Sequence, residues 1–158
     1  SHMIAEGRIG PRRGDHRRAG VTLAHQPHGA LAQVIVLDQF TRNTFRDTPR
    51  AFAGDALALA AAQTMVARGD DLALLPLQRV FAYLPFEHAE DGAMQHESLR
   101  LFAALTAADA SLTTFLDYAR RHADVITRFG RFPHRNELLG RTSTDDELRF
   151  LQQPGSRF

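Results

Sequence analysis

Ionisable side chains crowd into residues 85–91, Pro-Phe-Glu-His-Ala-Glu-Asp, directly after a predicted helix break. A histidine beside carboxylates can perform general acid–base catalysis, which makes His88 and Glu87 candidates for a catalytic pair. The same groups could ligate a metal, but the HExxH spacing is absent, and we expect no metal and no other cofactor. Glu87, Glu90 and Asp91 could equally stabilise the start of a helix through its dipole. The pocket interpretation and the capping interpretation both stay open.

A second polar group interrupts an otherwise apolar segment. Asp38 and Arg42 are separated by four residues, as are Gln39 and Asn43, so two polar pairs lie side by side on a helix. An unpaired buried charge costs several kcal/mol, so we expect Asp38 to pair with Arg42 or with a distant cation. The pair is either an internal salt bridge that fixes helix packing or a carboxylate that lines a pocket.

A third group, residues 128–136, combines three arginines and a histidine in a loop stiffened by glycine and proline. The planar guanidinium suits carboxylate or phosphate, which suggests an anionic ligand. However, cations near a helix C-terminus are stabilising without any ligand. The candidates in this loop are Arg131, His134, Arg135 and Asn136, with His134 also a candidate general base.

Composition excludes several classes of protein. The chain has 158 residues, no cysteine and a formal charge of +1, so neither a disulfide scaffold nor a general attraction to nucleic acid is expected. Its longest apolar run, Ala56–Ala62, is far shorter than the roughly 20 residues of a membrane-spanning helix. Phosphate-binding glycine loops, dinucleotide fingerprints and nucleophile elbows are absent from the sequence. We expect a cytoplasmic protein without nucleic-acid or membrane partners.

Two regions differ in character. Residues 1–29 begin with Ser-His-Met, typical of a tag remnant, and then form a basic, glycine-rich leader that we predict to be weakly ordered. Residues 30–158 form the second region, which we predict to be a single helical domain.

Hydrophobic periodicity favours helices throughout the second region. The run at 34–37 could also be a buried strand, but a helix is preferred because no other strand is predicted to pair with it. The first predicted helix begins at residue 30 and is buried on nearly all sides. Four more are predicted at 50–68, which follows Thr48-Pro49, at 76–83, which ends before a kink or stop at Pro85, at 91–105 and at 111–129. A short last helix is opened by a capping box at Thr144 and is predicted to bury Leu148 and Leu151. His122 lies on the apolar seam of the fifth helix, which is typical of a core histidine. Short connections predict antiparallel neighbours, so we expect an all-α fold of about five to six helices in helical hairpins.

The polar groups also resemble the motifs of a bacterial family, domain of unknown function 924 (DUF924). The matching stretches lie at 37–46, 50–58, 83–91, 129–136 and 139–141, and the resemblance spans about residues 30–151. Thr41 and Ala89 depart mildly from the family pattern. The resemblance implies a right-handed array of hairpins similar to tetratricopeptide repeats, but it implies no reaction. It also implies an aromatic-rich helical segment at the start, which the basic leader replaces here.

These observations support two hypotheses about function. The first is a binding module with a polar pocket for a small anionic ligand or a peptide, lined by Asp38, Gln39, Arg42, Asn43, Glu87, His88, Glu90, Arg131, His134, Arg135 and Asn136. The second is an enzyme of unknown reaction, with His88 or His134 as general base, Asp38 or Glu87 orienting it, and arginines stabilising negative charge. A purely structural role for the polar network is the third possibility. A homodimer would cover the side of the core that the missing segment leaves open.

Overall fold

Every regular element is a helix in the computed structural model, which describes residues 26–158. The helices, in chain order, are α1 (Pro27–Ile35), a π-helical segment (Val36–Phe40), α2 (Thr41–Thr44), α3 (Asp55–Ala67), α4 (Pro76–Glu87), α5 (Gly92–Ala108), α6 (Thr113–Phe129) and α7 (Asp145–Leu151). The backbone stays helical from α1 through the π-helical segment into α2, so this part of the chain contains six continuous helices. The predicted all-α class and helix number are confirmed.

The division of the chain into a leader and a single helical domain from residue 30 stays a prediction. Helix α1 begins at Pro27, three residues before the predicted boundary at residue 30. Most of the predicted leader lies outside the described residues. None of the described helices is both long and apolar enough to cross a lipid bilayer.

The first helix is buried on one face only, so the prediction that it is covered on nearly all sides is wrong. Leu31, Val34 and Asp38 are buried because they face α3 and α4, whereas Val36 and Phe40 are 54% and 62% exposed. The first helix therefore carries more apolar side chains than the core of the described residues buries.

Two helix ends differ from the sequence prediction. Thr48-Pro49 opens a short 3-10 turn (Pro49–Phe52), and α3 begins only at Asp55, because the Thr48 hydroxyl donates to the Phe45 carbonyl (2.7 Å) instead of capping a helix. Helix α4 continues past Pro85 to Glu87, since a proline in the last turn sacrifices only one backbone hydrogen bond. This extension turns the Glu87 side chain into the protein interior.

The main core lies between α4, α5 and α6, with α1 and α3 packed against α4. Its largest fully buried side chains include Tyr83, Phe86 and Phe102, and the Tyr83 and Phe102 rings pack edge to face at 5.7 Å. Helix α6 buries the face that its periodicity predicts, including His122. It ends at Gly130, whose φ of 74° is a left-handed conformation that glycine adopts without steric cost.

The capping box of α7 is confirmed, but the residue it buries is not the predicted one. The Thr144 hydroxyl accepts from the Glu147 amide (3.1 Å) while the Glu147 carboxylate accepts from the Thr144 amide (3.0 Å). Leu148 is 51% exposed and Leu151 is only partly buried, whereas Glu147 is 2% exposed. The inner face of α7 points at the polar side chains of the preceding loop, and a carboxylate satisfies them better than leucine.

Candidate functional site

Asp38 and His88 form the centre of a buried polar network. The π-helical segment places Asp38 inside the protein, 1% exposed, and His88 follows directly after the last turn of α4. The His88 Nδ1 atom donates to Asp38 Oδ1 at 2.9 Å, and Gln39 Nε2 donates to Asp38 Oδ2 at 2.6 Å. Arg42 Nη2 also donates to Asp38 Oδ1, at 3.4 Å. Residues 50 positions apart in the sequence are therefore joined at one carboxylate.

The Asp38 carboxylate is ionised despite its burial. Burial alone would raise its pKa, but the hydrogen bond from His88 and the charges of His88 and Arg42 outweigh that effect and lower the pKa. The hydrogen bond to Asp38 orients the His88 ring so that Nε2 faces Glu87. That nitrogen lies 4.0 Å from Glu87 Oε2.

Glu87 is buried beside two imidazoles without a full set of partners. It is 3% exposed, and its Oε1 atom accepts no hydrogen bond from any described residue. Burial, followed by the nearby charge of Asp38, raises the pKa of Glu87 to about 8. His122 of α6 approaches from the other side, with Nδ1 4.0 Å from Glu87 Oε1. Within residues 26–158, Glu87, His88 and His122 are the side chains grouped closely enough to hold a metal ion.

His122 itself is a neutral, well-packed ring. Its Nδ1 atom donates to the Tyr118 carbonyl at 2.8 Å, and its ring stacks on Phe158 with centroids 3.8 Å apart. Burial lowers the pKa of His122 to about 3, so the imidazole is uncharged at neutral pH.

Two arginines connect this centre to α3. Arg42 Nη2 donates to Asp55 Oδ1 at 2.9 Å, and Arg135 Nη1 lies 3.4 Å from Asp55 Oδ2. Arg135 Nη2 also donates to the His88 carbonyl at 2.9 Å. Its guanidinium lies between the rings of Phe52 (4.6 Å) and Phe132 (4.7 Å), which explains how a charged group is 95% buried. This burial lowers the pKa of Arg135 to about 10.

Glu90 anchors the loop that follows α6. Its carboxylate accepts from the Phe132 amide (2.7 Å) and from both terminal nitrogens of Arg141 (2.9 and 3.1 Å). Burial alone would raise the pKa of Glu90, but these hydrogen bonds lower it. Glu90 therefore contacts the loop at Phe132, near its start, and at Arg141, near its end. Arg141 also donates to Asn136 Oδ1 (3.0 Å).

Arg131 and Asn136 meet at a different carboxylate. Arg131 forms two hydrogen bonds to Glu147, of 2.9 and 2.7 Å, and Asn136 Nδ2 donates to the same side chain at 3.1 Å. The hydrogen bond from Arg131 is the main reason that the pKa of Glu147 falls to about 2. The predicted ligand-binding groups of Arg131 and Asn136 are thus occupied within the protein.

His134 lies at a separate cleft. Together with α2 and the turn after it, His134 borders a space of about 440 Å³ lined by Arg42, Asn43, Arg46, Asp47, Ala51, Phe52, His134, Leu138 and Phe158. The His134 Nδ1 atom is buried and has no hydrogen-bond partner among the described residues. Burial, then the charge of Arg135, lowers the pKa of His134 to about 4.

The structure therefore divides the predicted site residues into three places. Asp38, Gln39, Arg42, Glu87, His88 and Arg135 meet at the buried centre; Glu90, Arg131 and Asn136 hold the loop; Asn43 and His134 border the cleft, which Arg42 also reaches. The two candidate general bases, His88 and His134, line different clefts, because His88 borders a smaller space of about 240 Å³ beside Asp55, Glu90 and Arg135. Their assignments as catalytic or ligand-binding residues stay predictions.

Sequence reasoning did not select Asp55, Arg141, His122 or Glu147 as site residues. Asp55 and Arg141 stand within stretches that resemble family motifs, and this was an available signal. The Thr144 capping box, Thr144-Asp145-Asp146-Glu147, predicts only a capping role for Glu147, and the apolar seam of α6 predicts only a core position for His122. Their contacts with the network depend on the tertiary fold.

Comparisons with known proteins agree with this architecture. The sequence profile of a family described as bacterial protein of unknown function (DUF924) matches residues 12–155. Among solved structures, the chain is similar to a protein of unknown function from Agrobacterium tumefaciens, with 40% sequence identity and a TM-score of 0.76. The match covers 84% of this chain and 72% of that protein. No curated protein matches at a significant level.

Proposed function

This chain belongs to the DUF924 family of bacterial proteins, and from its own geometry we propose that it is a binding module for a small anionic ligand. The ligand would occupy the cleft beside His134 and present a carboxylate or a phosphate, as a free molecule or as part of a peptide. The observation that carries the proposal is a cleft bordered by two arginines and by His134, whose buried Nδ1 atom has no hydrogen-bond partner among the described residues.

The charges around the cleft favour an anion. Burial, followed by the charges of Arg135, Arg42 and Arg157, lowers the pKa of His134, whereas the charge of Glu90 raises it. The lining of the cleft itself contains two arginines, Arg42 and Arg46, and one carboxylate, Asp47. A cleft of about 440 Å³ is also within the range of roughly 300–1,000 Å³ that small-molecule sites occupy.

Arg46 is the side chain best placed to contact such a ligand. It is exposed, and it forms no ion pair with any described residue, so its guanidinium can form two parallel hydrogen bonds to a carboxylate or phosphate. Arg42, by contrast, already bonds to Asp38 and Asp55, and it contributes charge more than free donors.

The test is titration of the protein with inorganic phosphate and with succinate, followed by calorimetry and by NMR of the histidine side chains. Binding is expected to raise the pKa of His134, because a nearby anion stabilises the imidazolium. Arg46→Gln should weaken binding by about 10- to 100-fold, the effect of losing a charge-assisted hydrogen bond.

Arg120→Gln is the matched control. Arg120 is an exposed arginine on α6, outside the residues that line the cleft, and its 3.3 Å ion pair with Asp117 is itself exposed. The proposal fails if neither probe perturbs His134 or if the two arginine variants bind equally well.

The enzyme hypothesis is the second candidate, and the Asp38–His88 hydrogen bond of 2.9 Å favours it specifically. A carboxylate on Nδ1 of a histidine orients the ring and leaves Nε2 to act as a base. The test is a panel of model carboxylic and phosphoric esters, hydrolysed by the wild type and not by His88→Asn. Equal background rates for both proteins would reject this hypothesis.

Three further expectations concern the oligomeric state, the cellular location and the arrangement of the helices. A homodimer is supported by the exposed apolar side chains of Val36, Phe40 and Leu57, and sedimentation analysis would test it. A cytoplasmic location is supported by the complete lack of cysteine, and fractionation of cells would test it. A tetratricopeptide-like array is supported by the packing of consecutive helices α4, α5 and α6.

A further inference from the structure

Three side chains, the buried Glu87 and His122 and the partly buried His88, converge beside Asp38. One potential ligand atom from each of Glu87, His88 and His122 lies within 4.8 Å of the others. We infer that these three residues form a binding site for a divalent transition-metal ion such as Zn²⁺. This site is separate from the proposed anion cleft, none of whose lining residues belongs to the triad.

The donor set matches the chemistry of such an ion. Two imidazole nitrogens and one carboxylate are a combination that binds Zn²⁺ and other first-row divalent ions, with bonds of roughly 2.0–2.2 Å. Such bonds require donor atoms about 3.3 Å apart in a tetrahedral site. Glu87 Oε2 lies 4.0 Å from His88 Nε2 and Glu87 Oε1 lies 4.0 Å from His122 Nδ1, and one ligand atom from each residue lies within 4.8 Å of the others, so the three side chains must move together by about 1–1.5 Å to bind an ion.

His88 has the outer hydrogen bond that a metal-binding histidine usually has, because it donates from Nδ1 to Asp38 Oδ1 at 2.9 Å. Such contacts fix the tautomer and the orientation of a ligating ring. In His88 the contact leaves Nε2, the nitrogen nearest to Glu87, as the free ligand atom. His122 faces Glu87 with Nδ1, so a bound ion would replace the 2.8 Å hydrogen bond from this atom to the Tyr118 carbonyl.

The burial of Glu87 is an independent argument for a cation bound between this residue and the two imidazoles. It is 97% buried, its Oε1 atom lacks a hydrogen-bond partner, and it lies between the two imidazoles. A helix interior that needed only packing would be served equally well by leucine or methionine, because an unsatisfied buried carboxyl group is costly. A bound cation would take the place of the Glu87 proton, satisfy this carboxyl group and balance the charge of Asp38.

The experiment uses the full chain, stripped with a chelator and titrated with Zn²⁺ by calorimetry, and with Co²⁺ by visible absorption. We expect one ion per chain, Co²⁺ bands characteristic of a site with nitrogen and oxygen ligands, and no competition from excess Mg²⁺, which prefers oxygen ligands. Glu87→Gln should abolish this binding, whereas Asp38→Asn should weaken it by about 10- to 100-fold as an outer-sphere change.

His96→Gln is the matched control, because His96 is an exposed histidine on α5. It should bind Zn²⁺ as the wild type does. Glu87→Gln retains the size of the side chain, and circular dichroism would verify that the variant is folded; should it not fold, His122→Gln serves as the second variant. The inference is overturned if the wild type binds no Zn²⁺ or if folded Glu87→Gln or His122→Gln binds it with unchanged affinity.

Discussion

Replacement of Gly54 by alanine tests how tightly α3 is seated against the segment that carries Asp38. Gly54 is buried at the N-terminus of α3, directly before Asp55. A Cβ atom at this position would lie 1.9 Å from the Leu37 carbonyl oxygen and 2.9 Å from the Leu37 carbonyl carbon. Two backbones therefore approach each other here without room for a methyl group.

The expected cost follows from which atoms would collide. Contacts of this kind are normally longer than about 3 Å, so α3 and the π-helical segment must separate by more than about 1 Å. Neither side of the contact has a side-chain rotamer that could relieve it. Overpacking typically costs about 1–3 kcal/mol, and we expect Gly54→Ala to lower the free energy of unfolding by about 3 kcal/mol.

Urea denaturation followed by circular dichroism measures this change. With a slope of about 2 kcal/mol per molar urea, the midpoint should fall by about 1.5 M. Gly92→Ala is the control, because a Cβ there meets nothing within 4 Å at the start of α5. It should be neutral or stabilising by up to about 1 kcal/mol. Equal midpoints for Gly54→Ala and the wild type would refute the argument that close backbone approach seats α3.

Three further predictions concern individual polar groups. Tyr83→Phe removes the hydroxyl that donates to Asp71 at 2.6 Å, so the buried carboxylate loses a partner and the unfolding free energy should fall by about 1–3 kcal/mol in urea titrations. Thr144→Ala removes the cap that pairs with Glu147 and should cost about 1 kcal/mol, which thermal unfolding of the two proteins would detect. The pKa of His134 is lowered from 6.5 to about 4, so its contribution to stability is complete above pH 6.5 and is lost as the pH falls toward 4. Between pH 7.5 and 4.5 the wild type should therefore lose about 2.5 kcal/mol more than His134→Gln, and parallel pH profiles would contradict this.

Local patterns in the sequence were sufficient to predict most helices, because the signals that define them are local. The seam of α6, its glycine terminus and the Thr144 capping box all depend on residues within a few positions of each other. Failures occurred where tertiary contacts decide. Burial of Glu147 instead of Leu148 depends on Arg131, sixteen residues away in the chain, and no periodicity encodes that pairing.

The candidate site was predictable as residue types but not as an arrangement. The sequence identified Asp38 and His88, yet their hydrogen bond spans 50 positions and became visible only in the folded chain. It treated Arg131 and His134 as neighbours in one anion site, whereas one pairs with Glu147 and the other borders a cleft. Proximity in sequence does not decide which side of a loop each side chain faces.

The polar network joins residues that are far apart in the sequence, and this separation has a consequence for the order of folding. The hydrogen bonds from Phe132 and Arg141 to Glu90 span 42 and 51 positions, whereas the hairpins of α4, α5 and α6 join neighbours in sequence. Closing short loops is entropically cheaper, so the hairpins are expected to dominate the transition state and the network to form after it. Substitutions such as Glu90→Gln should then accelerate unfolding while leaving the refolding rate almost unchanged, which makes this network the part of the molecule that sets its kinetic lifetime.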